Sequence, residues 1–192
     1  DALQLLVIGR VGPEKNAFCL MEALKILGQR NKTIPFVRWV GGKDTSTRGL
    51  QYWERIRQWM EGNPDLRARW EWMGERQEAP ALLATADALV LCSFYEGLPN
   101  VVCEAFAMGR IVLASHVCEH PRLVADGVRG FLFDPSRPET LADAIERLEG
   151  LDAERWSSMS ASARSYAEQH LKVDRMVLEF EQLLLRCIEE RR

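Results

Sequence analysis

The stretch Ala88–Met108, with the sequence ALVLCSFYEGLPNVVCEAFAM, decides the fold of this chain. Its first five residues, ALVLC, are an apolar run of the kind that forms a buried strand. A turn containing Gly97 and Pro99 follows, and a helix of small and apolar residues begins at Asn100. A strand, a tight turn and a helix N-terminus in this order are where α/β folds hold anionic ligands.

Two acidic residues, Glu96 and Glu104, frame this turn and the first part of its helix. Two carboxylates beside a bare phosphate would repel it. They fit a ligand that carries hydroxyl groups around its phosphate, because a carboxylate accepts two hydrogen bonds from a vicinal diol. A nucleotide sugar has this composition, with a ribose, a diphosphate and a hexose. The stretch therefore predicts a nucleotide-sugar site.

Size and composition limit the other possibilities. The 192 residues are enough for one domain with a substantial core, and 47% apolar and 28% charged residues are typical of a soluble globular protein. A net charge of −3 argues against nucleic-acid binding, which needs a basic face. The chain has no apolar run of transmembrane length and no signal peptide at its start. The absence of Met at position 1 suggests a chain cut from a larger protein.

The five cysteines are an odd number at wide spacings, mostly within apolar stretches. We interpret them as buried, reduced thiols in a reducing compartment, and we predict a cytoplasmic protein. Cys118-Glu119-His120 is the one stretch that could suggest a metal site, but no second ligand pair has matching spacing.

Strands and helices alternate along the chain. The predicted strands are Leu3–Gly9, Pro35–Val40, Leu66–Met73, Ala88–Cys92, Arg110–Ala114 and Gly130–Phe133. Asn16 is expected to cap the first helix, and the last three helices are predicted at Pro138–Leu148, Ala153–Gln169 and Val173–Glu190. Strict alternation with short loops predicts an α/β fold, a single Rossmann-like, doubly wound parallel sheet of about six strands with a helical C-terminal tail. We assign residues 1–192 to this one domain, with 150–192 as its helical extension.

The charge of a diphosphate leaving group has to be offset. A divalent metal would need carboxylates at short spacing, such as Asp-x-Asp, and the sequence has none. Arg10 and Lys15 follow the first strand and supply two positive charges. The amides of Asn100 and Val101, at a helix start, add about half a charge through the helix dipole. The sequence therefore predicts a site without metal or other cofactor.

These motifs together resemble those of the retaining GT-B-fold glycosyltransferases of group 1, a large group similar to sucrose synthase and the mannosyltransferases. The group has a Gly-Arg … Lys loop after the first strand and two glutamates separated by seven residues. Here they correspond to Gly9-Arg10 … Lys15 and to Glu96 … Glu104. The stretches 84–93 and 126–135 are also similar to the family's. The resemblance is firm over about 3–148 and identifies the C-terminal, donor-binding domain.

The resemblance implies roles for individual residues. Arg10 and Lys15 would hold the diphosphate and stabilise the leaving group. Glu96 would contact the donor sugar, and Glu104 would bind the ribose. The remaining donor-binding residues it implies are Gly9, Gly74, Glu75, Arg76, Gly97, Leu98, Pro99, Asn100 and Val101. The chain departs from the family's pattern at four places. Asn16 replaces a Gly, and Arg110-Ile111 stands where the family often has a Pro. Further on, Cys118-Glu119 replaces Gly-Gly and Arg122 replaces a Glu. The last two departures affect the contacts to the donor sugar.

The function that follows is the donor-binding half of a retaining, metal-independent glycosyltransferase that uses a nucleoside-diphosphate sugar. GT-B enzymes also have an N-terminal acceptor-binding domain, which this chain lacks, so the chain alone is expected to bind nucleotide weakly and to transfer nothing. Peripheral membrane association of the full protein is compatible with this function. The alternatives are a non-catalytic nucleotide-sugar-binding module, a GT-B-fold nucleotide-sugar epimerase and a flavodoxin-like signalling domain. Gly9-Arg10 argues against the last of these, because such domains need acidic residues there.

Overall fold

A computed structural model describes residues 2–189 of the chain. Six parallel strands form one sheet in the order β3-β2-β1-β4-β5-β6. The strands are β1 (Gln4–Ile8), β2 (Phe36–Val40), β3 (Trp70–Gly74), β4 (Ala88–Leu91), β5 (Ile111–Ser115) and β6 (Gly130–Phe133). The predicted Rossmann-like, doubly wound sheet is confirmed, and the strand order reverses between β1 and β4.

Helices cover both faces of the sheet. They are α1 (Ala17–Gln29), α2 (Thr47–Glu61), α3 (Pro64–Arg67), α4 (Ala79–Thr85), α5 (Asn100–Ala107), α6 (His120–Val124), α7 (Pro138–Glu149), α8 (Ala153–His170) and α9 (Val173–Glu189). A 3₁₀ turn, Pro13–Lys15, precedes α1. The predicted last helix ran to Glu190, which lies outside the described residues. Among residues 2–189 no helix is both long and apolar enough to cross a membrane.

The two faces have separate apolar cores. Leu20 and Leu24 of α1 pack with Leu141 and Ile145 of α7 on one face, and α2 closes the same core. On the other face, Phe106 of α5 packs with residues of α4, α6 and α8. Parallel strands with both faces covered are apolar throughout, which is why short apolar runs located these strands in the sequence.

The predicted third strand, Leu66–Met73, began too early. Leu66 is buried in the short helix α3, which starts with Pro64 in its first turn, and β3 begins at Trp70. An apolar residue in a single helical turn looks the same in sequence as the first residue of a strand. Four tryptophans, Trp53, Trp59, Trp70 and Trp72, pack into the core on the α1 side of the sheet.

The cysteines do not all follow the prediction of burial. Cys19 and Cys92 are buried and Cys103 is half-buried, but Cys118 and Cys187 are exposed. All five are free thiols. Burial is the main cause of the raised pKa of the Cys92 thiol, and a hydrogen bond with Cys19 adds to it, so the Cys92 thiol is unreactive at neutral pH.

Candidate functional site

Lys15 and Glu96 meet at the point where the strand order reverses. Lys15 follows β1 and Glu96 follows β4, and these two strands are neighbours in the sheet. The Lys15 ammonium forms an ion pair with Glu96 Oε1, and the side chains are only 25% and 14% exposed. Two of the predicted site residues, 81 positions apart in sequence, are therefore in direct contact.

The 3₁₀ turn sets the position of Lys15. Its amide donates to the Gly12 carbonyl over 3.0 Å, and Pro13 supplies a backbone angle suited to the turn. The Lys15 side chain then lies back over Gly9 at the end of β1. A Cβ atom placed on Gly9 would be 3.4 Å from Lys15 Cε. The ammonium is held over the carboxyl end of the strand rather than extended into solvent.

Glu96 has further partners that the sequence did not reveal. The Ser93 hydroxyl donates to Glu96 Oε1 over 2.6 Å, and the Glu96 amide donates to Cys118 Sγ over 3.5 Å. Ser93 comes directly after the apolar run of β4, and that position was the available signal for it. Cys118 comes from the loop after β5 and has φ of +49° at a position where the family commonly has glycine.

Arg10 lies outside the Lys15–Glu96 contact. Its side chain is 59% exposed and pairs with Glu14 over 3.0 Å, four residues along the same loop. The hydrogen bond to Glu14 and its charge raise the pKa of Arg10. Glu14 stands four residues after Arg10, and this proximity in sequence was the available signal for the pair.

A cavity of about 320 Å³ lies beside Arg10, between the ends of β1, β2 and β3. It brings together the predicted residues Gly9, Arg10, Glu75 and Arg76. The Glu75 side chain lies over Gly42, where a Cβ atom would be 2.6 Å from Glu75 Oε1. Gly74 ends β3 immediately before Glu75, with φ of +68°. The loops that follow β1, β2 and β3 therefore share this cavity.

The start of α5 presents free backbone amides. Within the described chain, the amides of Asn100 and Val101 donate to no backbone carbonyl, and the preceding Pro99 offers no side-chain cap. Pro99 is buried, whereas Gly97 and Leu98 are exposed. An uncapped helix N-terminus of this kind attracts an anion through its amides and its dipole.

Glu104 lies on the exposed face of α5, one turn after these amides. Val102, Ala105 and Phe106 are buried, but the helix turns Glu104 away from them. Among residues 2–189 its carboxylate has no hydrogen-bond or ion-pair partner, so it is free to accept from a ligand.

The site combines positively charged groups with hydrogen-bond acceptors. Within the described part of the chain, no group of three or more His, Cys, Asp or Glu residues could hold a metal ion. Lys15 and the α5 amides can bind an anion, while Glu96 and Glu104 can accept from hydroxyl groups.

Comparison with known proteins shows what kind of protein carries this site. Residues 2–150 match the family described as "Glycosyl transferases group 1". The chain belongs to this family of glycosyltransferases. Because the match covers most of the sheet and both glutamates, it removes the flavodoxin-like alternative.

Relatives of this group 1 domain are much longer proteins. The alpha-D-kanosaminyltransferase of Streptomyces kanamyceticus is 30% identical over 146 residues, which are 75% of this chain and 36% of that protein. A UDP-Gal:alpha-D-GlcNAc-diphosphoundecaprenol alpha-1,3-galactosyltransferase of Escherichia coli is 26% identical over 142 residues, 74% of this chain and 35% of that protein. The chain therefore spans about a third of these relatives.

Solved structures show the same fold. The structure of Anabaena Alr3699/HepE in complex with UDP has a TM-score of 0.85 and 24% identity, covering 96% of this chain and 49% of that one. Sucrose-phosphate synthase from Thermosynechococcus elongatus has a TM-score of 0.82 and 24% identity, covering 99% of this chain and 46% of that one. The group 1 domain thus has the fold of the C-terminal half of GT-B glycosyltransferases.

Proposed function

We propose that this chain is the donor-binding half of a retaining, metal-independent glycosyltransferase, which moves a sugar from a nucleoside-diphosphate sugar to an acceptor. The observation that carries this proposal is the contact between Lys15 and Glu96 at the strand-order reversal of a group 1 glycosyltransferase domain. Ligands of doubly wound sheets bind at this point. Retention of stereochemistry is an expectation from the family.

The diphosphate binds between Lys15 and the start of α5. The Lys15 ammonium and the amides of Asn100 and Val101 are donors, and they offset the charge that grows as the bond between sugar and phosphate breaks. Since these donors and Arg10 supply positive charge without a metal ion, we propose that none is required. Arg10 reaches the phosphates when its exposed side chain turns away from Glu14.

The two ends of the donor occupy the flanking loops. The unpaired carboxylate of Glu104 accepts from the ribose hydroxyls, and the base lies in the cavity beside Gly74, Glu75 and Arg76. The sugar lies over Gly97, Leu98 and Pro99, with Glu96 accepting from its hydroxyls. HepE was crystallised with UDP and with UDP-glucose, which makes uridine diphosphate the first ligand to test.

The acceptor-binding domain is a separate N-terminal domain of the longer protein. Two observations support this proposal. The chain spans about half of its structural relatives, and α9 contains no buried residue. The apolar residues that α9 exposes are Val173, Met176, Val177, Leu178, Phe180, Leu183, Leu184, Leu185 and Ile188. We propose that α9 packs against the N-terminal domain and that the chain alone binds donor without transferring sugar.

Calorimetric titration with UDP and with uridine tests the site. Lys15→Ala should weaken UDP binding about 10- to 100-fold, because hydrogen bonds to charged groups contribute about 1.5–3 kcal/mol. Uridine binding should not change. Lys25→Ala is the matched control, since it removes the same charge from an exposed position of α1.

Two results would contradict the proposal. One is a Lys15→Ala variant that binds UDP as tightly as the unaltered chain. The other is an equal loss for UDP and uridine, which would indicate general misfolding rather than a lost phosphate contact.

A further inference from the structure

Buried polar side chains are concentrated behind Glu96. In the described part of the chain only Asn16, Ser93, Ser115 and His120 are polar and buried, and the exposed fraction of Ser115 and His120 is 0%. A polar group in the interior is tolerated when it is hydrogen-bonded. Three of these four residues, Ser93, Ser115 and His120, are linked one after another by hydrogen bonds.

The hydrogen bonds form a chain that ends on Glu96. His120 Nδ1 lies 2.8 Å from the Ser115 carbonyl oxygen. The Ser115 hydroxyl donates to the Ser93 carbonyl over 2.7 Å, and the Ser93 hydroxyl donates to Glu96 Oε1 over 2.6 Å. The same oxygen accepts from Lys15. The chain joins the ends of β4 and β5 with α6 and the 3₁₀ turn.

The direction of these hydrogen bonds identifies the tautomer of the His120 imidazole. A carbonyl oxygen only accepts, so Nδ1 carries the proton and Nε2 has a free electron pair. His120 Nε2 is buried and has no partner among the described residues. An apolar residue would fill this place without leaving a polar atom unpaired. The presence of a histidine here therefore calls for a function other than packing.

We propose that His120 is a positioning residue for Glu96 and, through Glu96, for Lys15. It holds Ser115, whose hydroxyl orients the Ser93 backbone, and Ser93 fixes the carboxylate that pairs with Lys15. The thiol of Cys118, two residues before His120, holds the Glu96 amide from the same segment. This inference rests on the proposed function, in which Lys15 binds the diphosphate.

The two explanations for His120, filling space in the core and positioning Glu96, predict different results. If His120 only filled space, His120→Leu would leave UDP binding unchanged. The Ser115 carbonyl would still accept from the Val117 amide at 2.8 Å in that variant, so the substitution creates no unpaired backbone group there. We expect His120→Leu to keep or raise the melting temperature while it weakens UDP binding about three- to tenfold, the loss typical of one neutral hydrogen bond.

His120→Asn is the matched variant, because its amide nitrogen replaces the Nδ1 donor. Calorimetry with UDP should give an affinity for His120→Asn that is close to that of the unaltered chain. Lys15→Ala is measured alongside. If it weakens UDP binding and His120→Leu does not, positioning is wrong and the proposed function stands. If His120→Asn and His120→Leu weaken UDP binding equally, the hydrogen bond that Nδ1 donates has no role, and the inference is also overturned.

A second measurement does not depend on any ligand. The ¹³C carboxyl signal of Glu96, assigned by its loss in Glu96→Gln, reports the surroundings of that carboxylate. At neutral pH this signal should shift in His120→Leu and in Ser93→Ala and stay in place in His120→Asn. A signal that His120→Leu leaves in place would overturn the inference even if Lys15 proved unimportant for UDP.

Discussion

Asn16 connects two loops at the carboxyl edge of the sheet through one hydrogen bond. Its side-chain amide donates to the Pro135 carbonyl over 2.8 Å, and its backbone lies in the left-handed region with φ of 51°. Asn16 stands at the N-cap position of α1, as expected, but its side chain accepts no amide of that helix. Asn16 acts as a donor, whereas an N-cap side chain acts as an acceptor.

This difference can be tested with one substitution. Asn16→Asp would be harmless at an N-cap, but here it places a carboxylate oxygen against a carbonyl oxygen. We expect it to lower the free energy of unfolding by about 1–3 kcal/mol, the cost of a buried unpaired acceptor. Urea denaturation measures this loss.

Asp152→Asn is the reverse control. The Asp152 side chain does cap a helix, accepting from the Arg155 amide over 2.8 Å at the start of α8. Asn and Asp are about equal at such positions, so the free energy of unfolding should change by less than about 0.5 kcal/mol. A harmless Asn16→Asp would show that the bond to Pro135 contributes nothing.

Lys15 and Glu96 could be predicted from sequence because each directly follows a recognisable strand, and neighbouring parallel strands end at the same edge. Ser115 and His120 could not. The Ser115 hydroxyl donates to the carbonyl of Ser93, which follows β4 and lies 22 residues earlier, and only the packed sheet shows that the two strand ends touch. His120 joins them through the Ser115 carbonyl. The pairing of Arg10 with Glu14 could not be predicted either, because a long side chain has a choice of acidic partners that the position of its backbone does not decide.

His120 also makes stability depend on pH. Burial, the main cause, lowers the pKa of His120, while the Glu96 carboxylate raises it and the Lys15 ammonium lowers it. As the pH falls, the His120 imidazole therefore takes up a proton in the unfolded chain, near pH 6.5, before it does so in the folded protein. The contribution of neutral His120 is complete above that pH and is lost as pH falls through the lowered value in the folded protein.

His120→Asn removes this titration. Urea denaturation between pH 7.5 and 5 should show the unaltered chain losing free energy of unfolding relative to His120→Asn, by at most about 1.4 kcal/mol for each pH unit below 6.5. A difference between the two proteins that is constant over this range would mean that His120 is not buried in its neutral form.

At the scale of elements, β1 and β2 approach each other so closely that one position excludes a side chain. A Cβ atom on Gly41 would lie 2.0 Å from the Gly9 carbonyl oxygen. The Gly9 amide donates to Val40 over 2.8 Å, and the Gly41 amide donates to Gly74 over the same distance. The strand ends that carry the Arg10 and Glu75 loops are held together here.

Gly41→Ala should therefore separate these ends. We expect a loss of about 2–3 kcal/mol in the free energy of unfolding, as for other overpacked sites, together with weaker UDP binding. Gly62→Ala is the control, because its Cβ would meet the Trp59 carbonyl at an ordinary 3.5 Å. Equal stability of the two variants would contradict this account of the strand ends.

At the scale of the whole molecule, the sheet was the most predictable part. Short apolar runs located every strand except β3, whose start was predicted too early, and the right-handed crossover rule limits how the strands connect. The reversal between β1 and β4 is a property of the complete sheet, so the meeting of Lys15 with Glu96 depends on all the crossovers together. The position of α9 was the least predictable, because its apolar stripe fits a covered core helix equally well.

The exposed stripe of α9 gives the last prediction. Phe180 and Leu184 are 60% and 49% exposed, so replacing both with Ala should change the free energy of unfolding of this chain by less than about 0.5 kcal/mol. Leu148→Ala, in the core below α7, should cost about 2–5 kcal/mol in the same assay. In the longer protein, where we propose that α9 is covered, the Phe180→Ala/Leu184→Ala pair should lower both the melting temperature and sugar transfer. A pair of substitutions that damages the short chain as much as the long one would show that the partner of α9 lies within this domain.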